Sequence, residues 1–226
     1  MLCVGRGFMP SVALIDYELT LSLPKRATAD TGIDALTHAM EAYVSKKANA
    51  YSDTQAIEAM RLIGPNLRRV YHNGNDFEAR EKMMLGATLA GIAFSNASVA
   101  LVHGMSRPIG AIYHVPHGLS NAMLLPAVTE YSIPAAKKRY ADCARAIGVS
   151  MSGDTDDVAN KKLLLELIAI NKELNVPSPS EFGIDKTDFM QNLEVMAEQA
   201  IASGSPGNNP RVPESKEIME IYKLLW

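Results

Sequence analysis

The chain carries five histidines, His38, His72, His103, His114 and His117, and their spacing to one another and to carboxylates decides what chemistry they can do. Asp34 and His38 stand four residues apart in DALTH, so on a helix both side chains project from one face, within reach of a single ion. His103 ends the apolar run SVALVH, and His117 follows fourteen residues later in VPHG. Glycines at Gly104, Gly110 and Gly118 beside them allow close backbone approach. Taken singly, Asp34 and His38 read more readily as a capping carboxylate with a core or surface histidine, and His103 as a satisfied core histidine. Together the four make one carboxylate and three imidazoles. That set suits a borderline divalent transition metal such as Fe(II) or Zn(II) and disfavours calcium or magnesium, which prefer oxygen shells. An ion that expands beyond four ligands keeps room for a substrate oxygen and acts on it as a Lewis acid. His114 reads as a solvent-facing or supporting residue, and His72, in the polar YHNGND, as a surface loop residue.

These residues need elements to hold them. Apolar spacing predicts a helix over 34–43, with Leu36, Ala39, Met40 and Tyr43 on its face. A second carries Ile57, Met60, Ile63 and Leu67 and is expected to kink at Gly64-Pro65. A third, capped by Asn75 or Asp76, runs to Gly91 and beyond. Pro134 suits the first turn of a helix ending near Gly148. Asp154, Asp156 and Asp157 precede an apolar helix through Leu163, Leu167, Ile170 and Leu174, with carboxylates at its positive end. Two further helices carry Phe189, Leu193, Met196 and Ala200, then Ile218, Ile221, Tyr222 and Leu225, and the loop GSPGNNPRVP lies between them. One segment, SVALID at 11–16, reads as a lone strand with no partner in the chain. The expected fold is all-α, about seven to nine helices entered by that strand.

Composition sets outer limits. The chain has 226 residues, 22 Lys+Arg against 25 Asp+Glu, a net charge of −3 and 47% hydrophobic residues. These values exclude a disordered chain and a strongly basic nucleic-acid binder, and the length is ample for a buried core. Cys3 and Cys143 show no motif spacing and read as free buried thiols in a reduced, cytoplasmic compartment. MLCVGRGFMP lacks the pattern of a signal peptide. The stretch 83–105 is apolar but carries Thr88, Ser95, Asn96, Ser98 and His103, which fits a buried helix region better than a membrane span of about 20 apolar residues.

Three longer stretches resemble one family, the iron-containing (group III) alcohol dehydrogenases. LIDYELTLSLPKRATADTGIDALTHAMEAY is similar to its first signature, with Pro24, Asp34 and Glu41 in step; LVHGMSRPIGAIYHVPHG resembles the second; NNPRVP resembles the family's end. The resemblance runs from about Val12 to the C-terminus. It implies the family's dehydroquinate synthase-like C-terminal helical domain over 25–226, with 1–24 as the last strand and linker of a dinucleotide-binding domain. By the same resemblance Asp34, His38, His103 and His117 match the four metal ligands, Fe(II) first and Zn(II) second. Phe94 matches an aromatic lining the substrate pocket.

The implied activity is hydride transfer between a small alcohol or aldehyde and NAD(P), with the metal polarising the oxygen. Self-association into a homo-oligomer is expected, and neither nucleic acid nor membrane is an expected partner. Two departures stand out. Many relatives carry a histidine four residues after the third ligand, and here that position is Arg107, which stays protonated and cannot relay a proton near neutral pH. It binds a carboxylate or phosphate or makes a structural ion pair. The glycine-rich pyrophosphate loop has no counterpart in the chain, so the reaction as a whole is expected to need more than these residues. The competing expectations are a non-catalytic helical interaction module and a metal-dependent hydrolase, the latter disfavoured by the lack of a contiguous His-Asp pair.

Overall fold

The computed structural model describes residues 5–8 and 10–226. Cys3, and the leader question for residues 1–4 and 9, lie outside them. The described chain is helical throughout: α1 (Lys25–Val44), α2 (Ala50–His72), α3 (Phe77–Ala97), α4 (Leu101–Tyr113), α5 (His117–Ser132), α6 (Lys137–Ala146), α7 (Asp156–Glu173), α8 (Pro179–Phe182), α9 (Lys186–Gln191), α10 (Leu193–Ala202) and α11 (Ser215–Lys223), with short 3-10 turns between some of them. Eleven helices exceed the seven to nine expected. The excess arises because α8 is a four-residue turn with its own Ser178/Glu181 capping box, and because the run through Phe189 and Ala200 breaks at Asn192.

The expected strand is not formed. Among the described residues there is no strand, and 12–16 runs without regular hydrogen bonding, with Val12, Leu14 and Ile15 exposed. A strand exists only by pairing, and no second one lies beside it.

Helix α1 is the axis of the domain. It is buried around most of its circumference, the pattern of a helix enclosed by others rather than laid on a surface. Ile33, Leu36 and Met40 are fully enclosed, each stabilising the fold by about 1.5–3 kcal/mol. It packs on α2, α3 and α5, while α4 packs on α5 and α10. Helix α2 starts at a reciprocal cap between Asn49 and Ser52, and its helical run continues through Pro65. Asp76, not Asn75, caps α3 by accepting from the Ala79 amide.

The third apolar segment divides. The chain turns by 103° between α3 and α4, pivoting at Ser98 with φ 64° and ψ 164°, a region that residues bearing a Cβ rarely occupy. Side chains from elsewhere hold the turn. Ser45 Oγ donates to Ala97 O and Asn49 Nδ2 to Asn96 O, covering the open carbonyls at the end of α3. Asn208, from the NNP loop, donates to Ser98 Oγ and Val99 O. Among the described residues no single helix is long and apolar enough to cross a membrane.

Two further details tie sequence to packing. Pro126 inside α5 removes the donor that the Ala122 carbonyl would meet, and Asn171 Nδ2 of α7 supplies a bond to that oxygen at 2.7 Å. Cys143 is a free thiol buried in α6, and burial pushes its pKa up.

Candidate metal centre

Asp34 and His38 project from one face of α1, as their spacing requires. Helix α4 brings His103 and the first residue of α5 brings His117. One donor atom from each of the four lies within 4.8 Å of every other. Asp34 Oδ1 is 3.4 Å from His103 Nε2, 3.7 Å from His38 Nδ1 and 3.8 Å from His117 Nε2. Four ligands held about 2.1 Å from a tetrahedral ion stand about 3.4 Å apart, so the three distances from Asp34 fit a shared divalent cation.

His103 is not the end of an apolar helix, as its sequence context suggests. It lies in the first turn of α4, after the bend, and is buried. The cluster is closed on that side and open on the other: the His103 side chain is 4% exposed and that of His117 51%.

A close approach between helices makes this geometry. A Cβ on Gly118, next to His117, would meet the backbone oxygen of Asp30 at 2.5 Å, so only glycine lets the start of α5 sit against α1 one turn before Asp34. Gly104, next to His103, plays the same part against the Pro206 ring, where a Cβ would meet carbons at 2.7 Å.

The electrostatics separate the four residues. Burial opposes the charge of Asp34, but the hydrogen bond to His103 and the surrounding histidines outweigh it and hold the carboxyl down at about 2. Burial and the neighbouring His103 lower His38 to about 4, leaving its lone pair free at neutral pH. For His103 burial again opposes charge, yet Asp34 and Glu41 prevail and push it up to about 9. A ligand at that value binds a metal in competition with protons.

Phe94 of α3 stacks on His38, with ring centroids 4.4 Å apart, and forms an aromatic wall of the site. Arg107 is exposed one turn after His103 on α4 and makes no ion pair among the described residues; its charge helps burial and His103 lower the His117 pKa. His114 turns the chain between α4 and α5 at φ 55° and faces solvent. His72, at the end of α2 rather than in a loop, bonds Glu173 on the surface at 2.9 Å.

Two residues of the site had no role assigned from sequence. Asn121, four residues after His117 on α5 and fully buried, donates from Nδ2 to Asp34 Oδ1 at 2.6 Å. The same nitrogen stands 3.2 Å from the Nε2 atoms of His103 and His117. Its Oδ1 is buried without a hydrogen-bond partner, a cost of about 1–3 kcal/mol beside a cluster of cation ligands. Glu41 stands three residues after His38 and reaches His103 from behind, with Oε2 2.7 Å from Nδ1. Both carried a usable signal, the i+3 or i+4 spacing to a ligand on the same helix.

Comparison with known proteins bears on this arrangement. The model of the C-terminal part of the Fe-containing alcohol dehydrogenase family matches residues 28–226. The 1,3-propanediol dehydrogenase of Citrobacter freundii is 41% identical over 218 residues, covering 95% of this chain and 55% of that protein. Among solved structures, a 1,3-propanediol oxidoreductase superposes with a TM-score of 0.87 at 38% identity, covering 93% of this chain and 55% of its own. The iron-containing alcohol dehydrogenase of Thermococcus thioreducens superposes with a TM-score of 0.87 at 34% identity, covering 98% and 56%. The chain spans about half the length of the relatives it matches.

Proposed function

Because the chain belongs to the Fe-containing alcohol dehydrogenase family and corresponds to its C-terminal helical domain, we propose that it is the metal-binding, substrate-side part of an NAD(P)-dependent alcohol dehydrogenase. Asp34, His38, His103 and His117 hold one divalent ion, Fe(II) by family and Zn(II) as the alternative the ligand set also accepts. The observation that carries this reading is the convergence of four donors from three helices within 4.8 Å. When bound, the ion supplies a Lewis acid for an alcohol or carbonyl oxygen.

The chain's own residues do the rest of this side's work. Asp34 stays ionised and offsets part of the cation's charge, and His38 presents a neutral ring at neutral pH. His117 stands at the open side, where a small alcohol or aldehyde enters. Phe94 excludes water beside His38 and offers an apolar face to the substrate carbons. Arg107 provides a fixed positive charge facing the substrate or cofactor and relays no proton. Hydride transfer requires the nicotinamide to be held against the substrate carbon, a task for a dinucleotide-binding domain to which residues 1–24 form the junction. The protein works in a reduced, cytoplasmic compartment, a reading supported by its free buried Cys143.

Metal analysis of the purified chain tests the assignment. One ion per chain is expected, lost when His103 and His117 are both replaced by alanine, and an unchanged metal content in that variant overturns it. A spectrophotometric assay with alcohols and NAD(P) tests the activity separately. A second reading, a helical interaction module, is supported by the exposed apolar residues Val12, Leu14, Ile15 and Leu19. It predicts self-association by light scattering, and a monomer with no partner counts against it.

A further inference from the structure

We propose that Glu41 is a positioning residue whose buried carboxylate sets the tautomer and orientation of His103. The inference rests on reading Asp34, His38, His103 and His117 as a metal site, and it assigns the part played by a residue that touches none of the incoming groups.

The Glu41 side chain is 5% exposed, and a carboxylate buried to that extent costs several kcal/mol unless donors surround it. All its donors come from the start of one other helix. It accepts from the backbone amides of Ala100, at 2.8 Å, and Val102, and it is 2.7 Å from Nδ1 of His103. Helix α4 has no side-chain cap of its own at Ala100, so Glu41 caps it from α1 and places a negative charge at its positive end. Backbone amides only donate, and an ionised carboxylate only accepts. The ring nitrogen facing Glu41 must therefore carry a proton.

That requirement settles the other side of the ring. With Nδ1–H committed to Glu41, the Nε2 atom is the one turned toward the cluster, 3.4 Å from Asp34 Oδ1, and it is the nitrogen that gives up its proton when a cation takes the lone pair. A carboxylate behind a ligating imidazole also raises its basicity. Glu41 lies seven residues after Asp34 and three after His38 on the same face of α1. One helix face thus supplies two ligands directly and braces a third.

The test uses the full chain with Zn(II) as a diamagnetic probe. In wild type, nitrogen-15 spectra of labelled histidine should show a slowly exchanging Nδ1 proton on His103, and chelator competition should give a measurable Zn(II) dissociation constant. Glu41→Gln keeps the shape but turns an NH2 toward one of the donors. The dissociation constant should rise about 10- to 100-fold, and the Nδ1 proton signal should shift or vanish. A merely structural Glu41 would leave both unchanged while lowering stability, and that result overturns the proposal. If Glu41→Gln does not fold, the wild-type spectrum decides alone: a proton on Nδ1 supports the assignment, and one on Nε2 overturns it. If wild type binds no Zn(II), the reading of the metal site fails first, and a proton found on or missing from the His103 nitrogen that faces Glu41 still decides on Glu41.

Discussion

Gly118→Ala tests whether helix contact, rather than the identity of the ligands, builds the metal centre. The added Cβ would lie 2.5 Å from the Asp30 carbonyl oxygen, where ordinary contact begins near 3.4 Å. Both partners are helix backbone, so no flexible side chain can yield, and α5 must move from α1 by about 0.9 Å. Overpacking of this kind costs about 1–3 kcal/mol. The same movement carries His117 from Asp34, whose donor atoms are 3.8 Å apart. Two ligands about 2.1 Å from a common ion are never more than about 4.2 Å apart, so a shift directed along that line takes the pair out of shared reach. The expected result is a Zn(II) dissociation constant raised at least about tenfold in chelator competition, with a lower urea midpoint. Gly91→Ala is the control: nothing lies within 4 Å of its added Cβ, and a helical Gly-to-Ala change should stabilise by about 0.5–1 kcal/mol. Wild-type affinity and stability in Gly118→Ala would refute the reasoning.

Asn171→Ala should lower unfolding stability by about 1–3 kcal/mol in urea melts, because the Ala122 carbonyl freed by Pro126 loses the 2.7 Å bond that satisfies it; no loss would mean that carbonyl is solvated. Asp154→Asn addresses acid stability. Lys162, the Met151 amide and Ser150 hold the Asp154 carboxyl well below its usual 3.8. A depressed value means the stabilisation is present above about pH 4 and lost as pH falls through the folded value. The variant should therefore be less stable than wild type at pH 7, with the gap closing at acid pH, and a constant gap from pH 7 to pH 2 would contradict the assignment.

The sequence by itself determined the helical class and the pairing of Asp34 with His38, since both depend on local periodicity, and it supplied His103 and His117 as candidates by residue type and by resemblance. The i, i+4 spacing of Asp34 and His38 survives any packing, as it follows from 3.6 residues per turn. The cap at Asp76 is local in the same way, and the four candidate ligands did meet. What tertiary structure decided is everything that depends on which backbone lies beside which. The segment 11–16 reads as a strand by composition, but a ladder needs a neighbour and none lies beside it among the described residues. The apolar run from Met83 to Met105 reads as continuous, and it bends at Ser98 because Ser45, Asn49 and Asn208, none of them adjacent in sequence, bind the carbonyls and hydroxyl exposed by the bend. That bend turns His103 from the end of one helix into the beginning of another. Only there do the amides at the start of α4 meet Glu41, and only there does Nε2 turn toward Asp34, because hydrogen-bond partners far apart in the chain are chosen by packing and not by periodicity.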